Sequence, residues 1–276
     1  MTVNRPSPAT DSSPRSSRTP GAFVVLATAG FLIVALPLLG LVIRTPWTRI
    51  VELLTDETAL MALRLSLIVA TSAAAISLVT GFPLAWALAR GSFRGKTFVR
   101  AVVVLPLVMP PVVAGVGLLA AFGRRGIVGS WLYEWTGFQL TFTTGAAILA
   151  ATFVSIPLAV LALEAGLRGV DARLEDAAAT LGASRWYVLR RVTMPLLGPQ
   201  IATAAVLAWA RALGEFGATI TFAGNIQGRT QTTPLAVYLL LETNPQVAIG
   251  LSVVLFAVCI AVLALLRDRW LGRAWG

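Results

Sequence analysis

The side chains that most often carry enzymatic chemistry are scarce in this chain. No histidine occurs in its 276 residues. That absence removes the commonest general base, the commonest metal ligand and the Ser-His-Asp triad together. The single cysteine, Cys259, excludes an internal disulfide and a cysteine-based metal cluster. It lies in an apolar run, where a thiol behaves as a small hydrophobe. Gly91-Ser-Phe-Arg-Gly-Lys-Thr97 has the look of a phosphate-binding loop. That motif, however, needs one more residue before Gly-Lys-Thr and a preceding strand. The stretch therefore reads as a basic turn, and no nucleotide site is found. What remains is charge in unusual places: Arg211 and Glu215 inside an apolar stretch, and a charged segment over 164–195.

The elements that position these charges follow from composition. Apolar residues make up 57% of the chain and charged residues 12%. A soluble domain has about 45–50% and roughly a quarter. Mean hydropathy is +0.82. A disordered protein is excluded and a water-soluble enzyme is disfavoured. Uncharged runs cover 22–43, 65–89, 101–123, 140–163 and 247–266. A helix rises about 1.5 Å per residue, so about 20 apolar residues cross a hydrocarbon core about 30 Å thick. A further span over 196–222 is interrupted by Arg211 and Glu215. The runs are continuously apolar, which disfavours barrel strands. The expectation is an all-α membrane protein with six transmembrane helices over 21–276, behind a disordered Ser/Pro/Arg-rich tail at 1–20. Leu105–Gly117 holds three prolines and two glycines, which suits a helix bent around a pore or packed closely on a neighbour.

Six spans put both termini on one side, and the basic residues can then be sorted. The terminal side holds Arg5, Arg15 and Arg18; Arg90, Arg94, Lys96 and Arg100; Arg168, Arg173, Arg185, Arg190 and Arg191; and Arg267, Arg269 and Arg273, 15 in all. The opposite side holds 5: Arg44, Arg49, Arg124, Arg125 and Arg229. Arg64 and Arg211 lie at or within spans. Basic residues concentrate on the cytoplasmic face, so both termini are expected there. The net charge of +10 thus reports orientation and membrane contact, and a nucleic-acid partner is not expected.

The segment 164–195 reads as two short helices. Asp171 suits the N-cap of the first, with Glu175 and Asp176 early in it, where acidic residues favour the dipole. Gly182 supplies the break after Leu181, and Ser184 caps the second helix. Ala177, Ala178 and Ala179 leave a surface that another protein can approach closely. The register Asp176-Ala177-Ala178, Gly182, Val192 and Met194-Pro195 resembles the EAA loop of ATP-binding-cassette importer permeases. Asp replaces the family's Glu, Val its Ile and Met its Leu; Glu175 stands one residue before the replaced position. The resemblance implies a type I importer permease fold. It further implies that Glu175, Asp176, Ala177, Ala178, Gly182, Val192 and Pro195 form a coupling segment seated in a separate ATPase. ATP and magnesium would be bound by that partner, and this chain would carry no cofactor and no catalytic residue.

Two further stretches resemble the molybdate branch of these permeases. One is Leu105-Pro-Leu-Val-Met-Pro-Pro-Val-Val-Ala-Gly115 with the later Ala121-Phe-Gly-Arg-Arg-Gly126. The other runs from Arg211-Ala-Leu-Gly-Glu-Phe-Gly217 through Gly224-Asn225, Thr230 and Thr232-Thr233-Pro234 to Tyr238. Sulfate (or thiosulfate) and tungstate permeases share the first part of that second stretch. The resemblance implies a homodimer, two ATPase subunits and an extracytoplasmic molybdate-binding protein, in a bacterial inner membrane. From the residues alone, Arg211 and Glu215 are expected to share one helix face, either as a structural ion pair or as part of a gate. Asn225, Thr230 and Thr232 either offer neutral donors to a tetrahedral dianion or belong to a plain external connector. A secondary transporter is the competing class, but no convincing internal repeat is present.

Overall fold

The computed structural model describes residues 21–271, and those residues form helices without strands. The tail expected over 1–20, with Arg5, Arg15 and Arg18, lies outside the described residues, as do Arg273 and the side chains of Arg267 and Arg269. The chain divides into two units at Arg44. The first contains helix α1, Gly21–Arg44, which is apolar along its length and carries Pro37 inside it.

The second unit begins at Thr45 with a tight turn at Trp47–Arg49 and helix α2, Ile50–Thr55. Helix α3, Glu57–Arg90, follows, its start fixed by Asp56, whose side chain accepts from the Ala59 amide at 2.9 Å. It therefore begins eight residues before the expected span at 65, and Arg64 is one of its exposed residues. Helix α4 is Lys96–Val108, α5 is Pro111–Phe122 and α6 is Ile127–Thr136. The span expected over 101–123 is thus two helices. The break falls at Met109-Pro110, because residues before prolines avoid helical geometry and Pro110 and Pro111 offer no amide donors. Pro83 and Pro157, in contrast, lie inside continuous helices.

Helix α7, Thr144–Gly169, starts at an N-cap on Thr143 and runs past Glu164. The first residues of the expected 164–195 loop are therefore helical. Next come α8, Ala172–Thr180; α9, Arg185–Val188; a π turn at Leu189–Thr193; and α10, Met194–Leu196. The chain bends by 70° before α11, Gly198–Leu213. The sequence has Pro195 start the following span; it lies instead in α10, before the bend, and α11 opens at Gly198. Helix α12, Gly217–Phe222, is separated from α11 by Gly214–Phe216, so 196–222 is also not one helix. Helices α13, Thr233–Thr243, and α14, Pro245–Leu271, complete the chain.

By length and composition α1, α3, α7 and Pro245–Val262 of α14 can cross a bilayer. Two further helix pairs, bent where they join, pass the same test together: α5 with α6 at 42°, and Arg185–Leu196 with α11 at 70°. Four helices can therefore cross, and up to six spans result if each bent pair is one span.

The core of the second unit lies where α3, α7 and α11 meet. Ala70 and Ala73 face Ala146, Ala147, Ala150 and Ala151, all fully buried. Small residues let helix backbones approach closely, which is how helices associate in lipid, where burying apolar area gains little. Toward the other end, Leu88, Leu163, Leu167 and Leu197 form a second cluster. Helices α5 and α12 pack closely at glycines. A Cβ on Gly115 would lie 2.5 Å from Thr221 Cβ, and one on Gly217 would lie 2.6 Å from Pro111 Cβ. The proline-rich stretch is therefore both broken and closely packed. Gly115→Leu is expected to cost about 1–3 kcal/mol or to prevent assembly, whereas Gly117→Leu, with nothing within 4 Å, leaves folding unchanged. Yield of monodisperse protein in detergent and its unfolding temperature check both; equal values for the two variants would contradict the packing.

Candidate functional site

The segment between α7 and α11 is built from local capping. Asp171 Oδ1 accepts from the Arg173 amide at 2.9 Å and starts α8. At its end the Ala183 amide donates to Ala178 O at 3.1 Å and the Gly182 amide to Ala179 O at 3.0 Å. This crossed pair is a Schellman motif, and it needs a left-handed residue, which Gly182 provides at φ +85°. Ser184 then accepts from the Tyr187 amide and starts α9. The three caps expected from the sequence are all in place. Asp176 and Ala177 are exposed and Ala178 partly so, while Val192 sits half-buried in the π turn and Pro195 is exposed in α10. Leu181 at the corner is 89% exposed, and Trp186 and Tyr187 project from α9.

Glu175 behaves differently from its neighbours. Its Oε1 accepts from Arg90 Nη2 at 3.3 Å and from Thr193 Oγ1 at 2.9 Å. It turns inward, toward the end of α3 and the π turn, and away from the exposed Asp176-Ala177 edge. Nearby, buried Glu164 accepts from two cations. Arg100 of α4 reaches it, and Arg168 of its own helix donates at 2.7 Å. Arg168 also reaches Leu88 O of α3, at 3.4 Å. Arg90, Arg100, Glu164, Arg168 and Thr193 were not singled out by the sequence patterns. Arg90 and Arg100 lie 85 and 64 residues from their carboxylates, and Thr193 lies 18 from Glu175. Glu164 and Arg168 are a helical i, i+4 pair whose burial the spacing does not reveal.

Arg211 and Glu215 do pair, Nη1 to Oε2, at 2.6 Å. They do not share one helix face, as the spacing suggested, because α11 ends at Leu213 and Glu215 lies beyond it. Glu215 is 3% exposed, and its other oxygen accepts from the Ala218 amide at 2.7 Å. One carboxylate thus joins the end of α11 to the start of α12 and satisfies an amide that the break exposes.

The loop after α12 holds the remaining candidates. Thr230 is fully buried, and its Oγ1 accepts from the Ile226 amide at 2.8 Å, closing the loop on itself. Asn225 Oδ1 and Thr232 Oγ1 are buried without a hydrogen-bond partner. Bonds from this loop run to α7 and α3. Thr144 Oγ1 donates to Arg229 O, Gln227 Nε2 to Thr58 Oγ1, and the Thr233 amide to Ser66 Oγ. They tie the loop to the bundle and do not reach the Arg211–Glu215 pair. A cavity of about 530 Å³ lies beside the α11–α12 break, lined by Phe216, Pro234, Tyr238 and Leu255 among others. Its lining is mostly apolar and carries no cation, which ill suits an oxyanion. Glu215→Ala, which removes the ion pair and the cap together, is expected to cost about 3 kcal/mol or more. Combined Arg211→Gln and Glu215→Gln substitutions keep an acceptor for Ala218 and cost less. Thermal unfolding of the purified variants reads the difference; a Glu215→Ala chain as stable as the wild type would contradict the pairing.

Three comparisons bear on this arrangement. Residues 78–273 match the family described as binding-protein-dependent transport system inner membrane component. The molybdenum transport system permease protein ModB of Mycobacterium tuberculosis (strain ATCC 25618 / H37Rv) is 46% identical over 236 residues, covering 86% of this chain and 89% of that one. The molybdenum transport system permease protein ModB of Escherichia coli (strain K12) is 46% identical over 212 residues, covering 77% and 93%. Among solved structures, a bacterial ABC transporter involved in alginate import superposes with a TM-score of 0.67 at 19% identity, covering 90% of this chain and 92% of that chain. This last likeness carries the fold. The chain belongs to the binding-protein-dependent transport system inner membrane components, as a multi-pass permease of the bacterial inner membrane.

Proposed function

We propose that the chain is the membrane-spanning subunit of an ATP-driven importer that moves molybdate inward. The observation that carries the substrate is the 46% identity, over most of both chains, to permeases named for molybdenum transport. In this reading two copies of the chain form the pathway and two ATPase subunits bind ATP and magnesium. An extracytoplasmic binding protein delivers the oxyanion. The chain crosses the membrane six times with both termini in the cytoplasm, in line with the 15 basic residues on one side against 5 on the other. Recognition of the ion is left to the binding protein.

The exposed edge of α8 is the coupling contact. Asp176, Ala177 and Ala178 present little bulk, and Leu181, almost wholly exposed, offers apolar surface beside them. Exposed apolar groups clustered on one segment suit a protein partner. Closure of the ATPases on ATP would then displace α8 and, through it, the membrane helices.

Gly182→Arg introduces a residue disfavoured at a left-handed φ and adds bulk to the docking edge. This variant, and paired Ala177→Leu and Ala178→Leu substitutions, are expected to insert normally in the membrane. ATP-driven molybdate uptake should fall by roughly tenfold or more, with loss of co-isolated ATPase. Labelled molybdate uptake in cells, in competition with sulfate and tungstate, measures both the coupling and the ion. Normal uptake by these variants would contradict the coupling contact, and equal competition by sulfate would contradict molybdate as the preferred cargo.

A further inference from the structure

Helix α8 buries none of its residues. Apolar packing therefore does little to fix its position on the bundle, and its polar ties matter correspondingly more. Those ties converge on Glu175, the side chain of α8 that points inward. Its Oε1 receives Arg90 Nη2 from the last residue of α3 and Thr193 Oγ1 from the π turn that leads toward α11. The same Arg90 nitrogen reaches Val170 O, at the C-cap of α7, at 3.4 Å. One carboxylate oxygen and one guanidinium thus gather the ends of α3 and α7, the start of α8 and the π turn. A step away, buried Glu164 binds Arg100 of α4 and Arg168 of α7, and Arg168 touches Leu88 O of α3. The ends of α3, α4 and α7 are thereby cross-linked to one another by charge.

We propose that Glu175 is a positioning residue that transmits displacement of α8 to the membrane helices through Arg90 and Thr193, and that it does not itself contact the ATPase. This inference rests on α8 being the coupling helix. Apolar contacts slide at little cost, whereas a hydrogen-bonded ion pair resists displacement in a defined direction. Arg90 Nε is buried with no hydrogen-bond partner among the described residues, so the guanidinium is committed through Nη2 alone.

The test uses the permease–ATPase complex in proteoliposomes with the molybdate-binding protein. Three quantities are read: co-isolation of the ATPase, ATP hydrolysis, and molybdate ions moved per ATP. Glu175→Ala and Arg90→Gln are expected to assemble and to hydrolyse ATP, but to move roughly fivefold fewer ions per ATP or less. The exchange of Arg90→Glu with Glu175→Arg should recover part of that loss, which a generic loss of stability would not do. If Glu175→Ala fails to fold, Glu175→Gln, which keeps an acceptor for Thr193 and weakens only the Arg90 link, must show the same fall. Unchanged ions per ATP in the Glu175 variants would overturn the linkage. Loss of the ATPase from those variants would overturn it too, by making Glu175 a docking contact. If the wild-type chain does not associate with an ATPase at all, the coupling-helix reading fails and takes this inference with it.

Discussion

A backbone interrupted inside an apolar bundle must find partners for every amide and carbonyl it frees, because lipid supplies none. This chain interrupts its backbone repeatedly, and the way it meets that requirement shapes the rest of the structure. Proline does part of the work. Pro111 opens α5, Pro199 stands at the second position of α11, and Pro234 at the second position of α13. Each removes an N–H that the helix start would otherwise leave unpaired. Side chains do the rest: Glu215 takes the Ala218 amide and Ser66 takes the Thr233 amide. The irregular segments are thereby held against α3, α7 and α11, whose alanine-rich faces form a close-packed frame.

The frame and the segment outside it are stabilised by different forces. Inside, small side chains allow close helix contact. Outside, α8 has caps at both ends and a carboxylate tie, with no buried side chain of its own. An element held by a few directional bonds can be displaced as a unit without repacking a core. That division suits a permease driven by another subunit, since the moving part is separated from the part that must stay sealed.

Much of this was legible in the sequence, for identifiable reasons. Capping is local, so Asp171, Gly182 and Ser184 could be placed from their neighbours alone. Continuous apolar runs marked α1, α7 and α14 well. The breaks were harder. An i, i+4 pair such as Arg211 and Glu215 has the same spacing whether the helix continues or ends between them, and only the structure shows that it ends. Tandem prolines at 110 and 111 warned of a bend but did not say that α4 would end there and α5 begin as a separate helix. The pairs Arg90–Glu175 and Arg100–Glu164 were invisible, because their members are 85 and 64 residues apart. Glu175 therefore read as a second acidic residue beside Asp176, when its side chain is committed to the interior.

The central claim is that this chain is a pathway powered from outside itself. Proteoliposomes containing the chain with its ATPase, with ATP on the ATPase side and labelled molybdate with its binding protein on the other, test that claim most directly. Molybdate should accumulate only when both subunits and hydrolysable ATP are present, and an imposed proton or sodium gradient should not replace them. Accumulation by the chain alone under such a gradient would contradict the account and identify a secondary transporter.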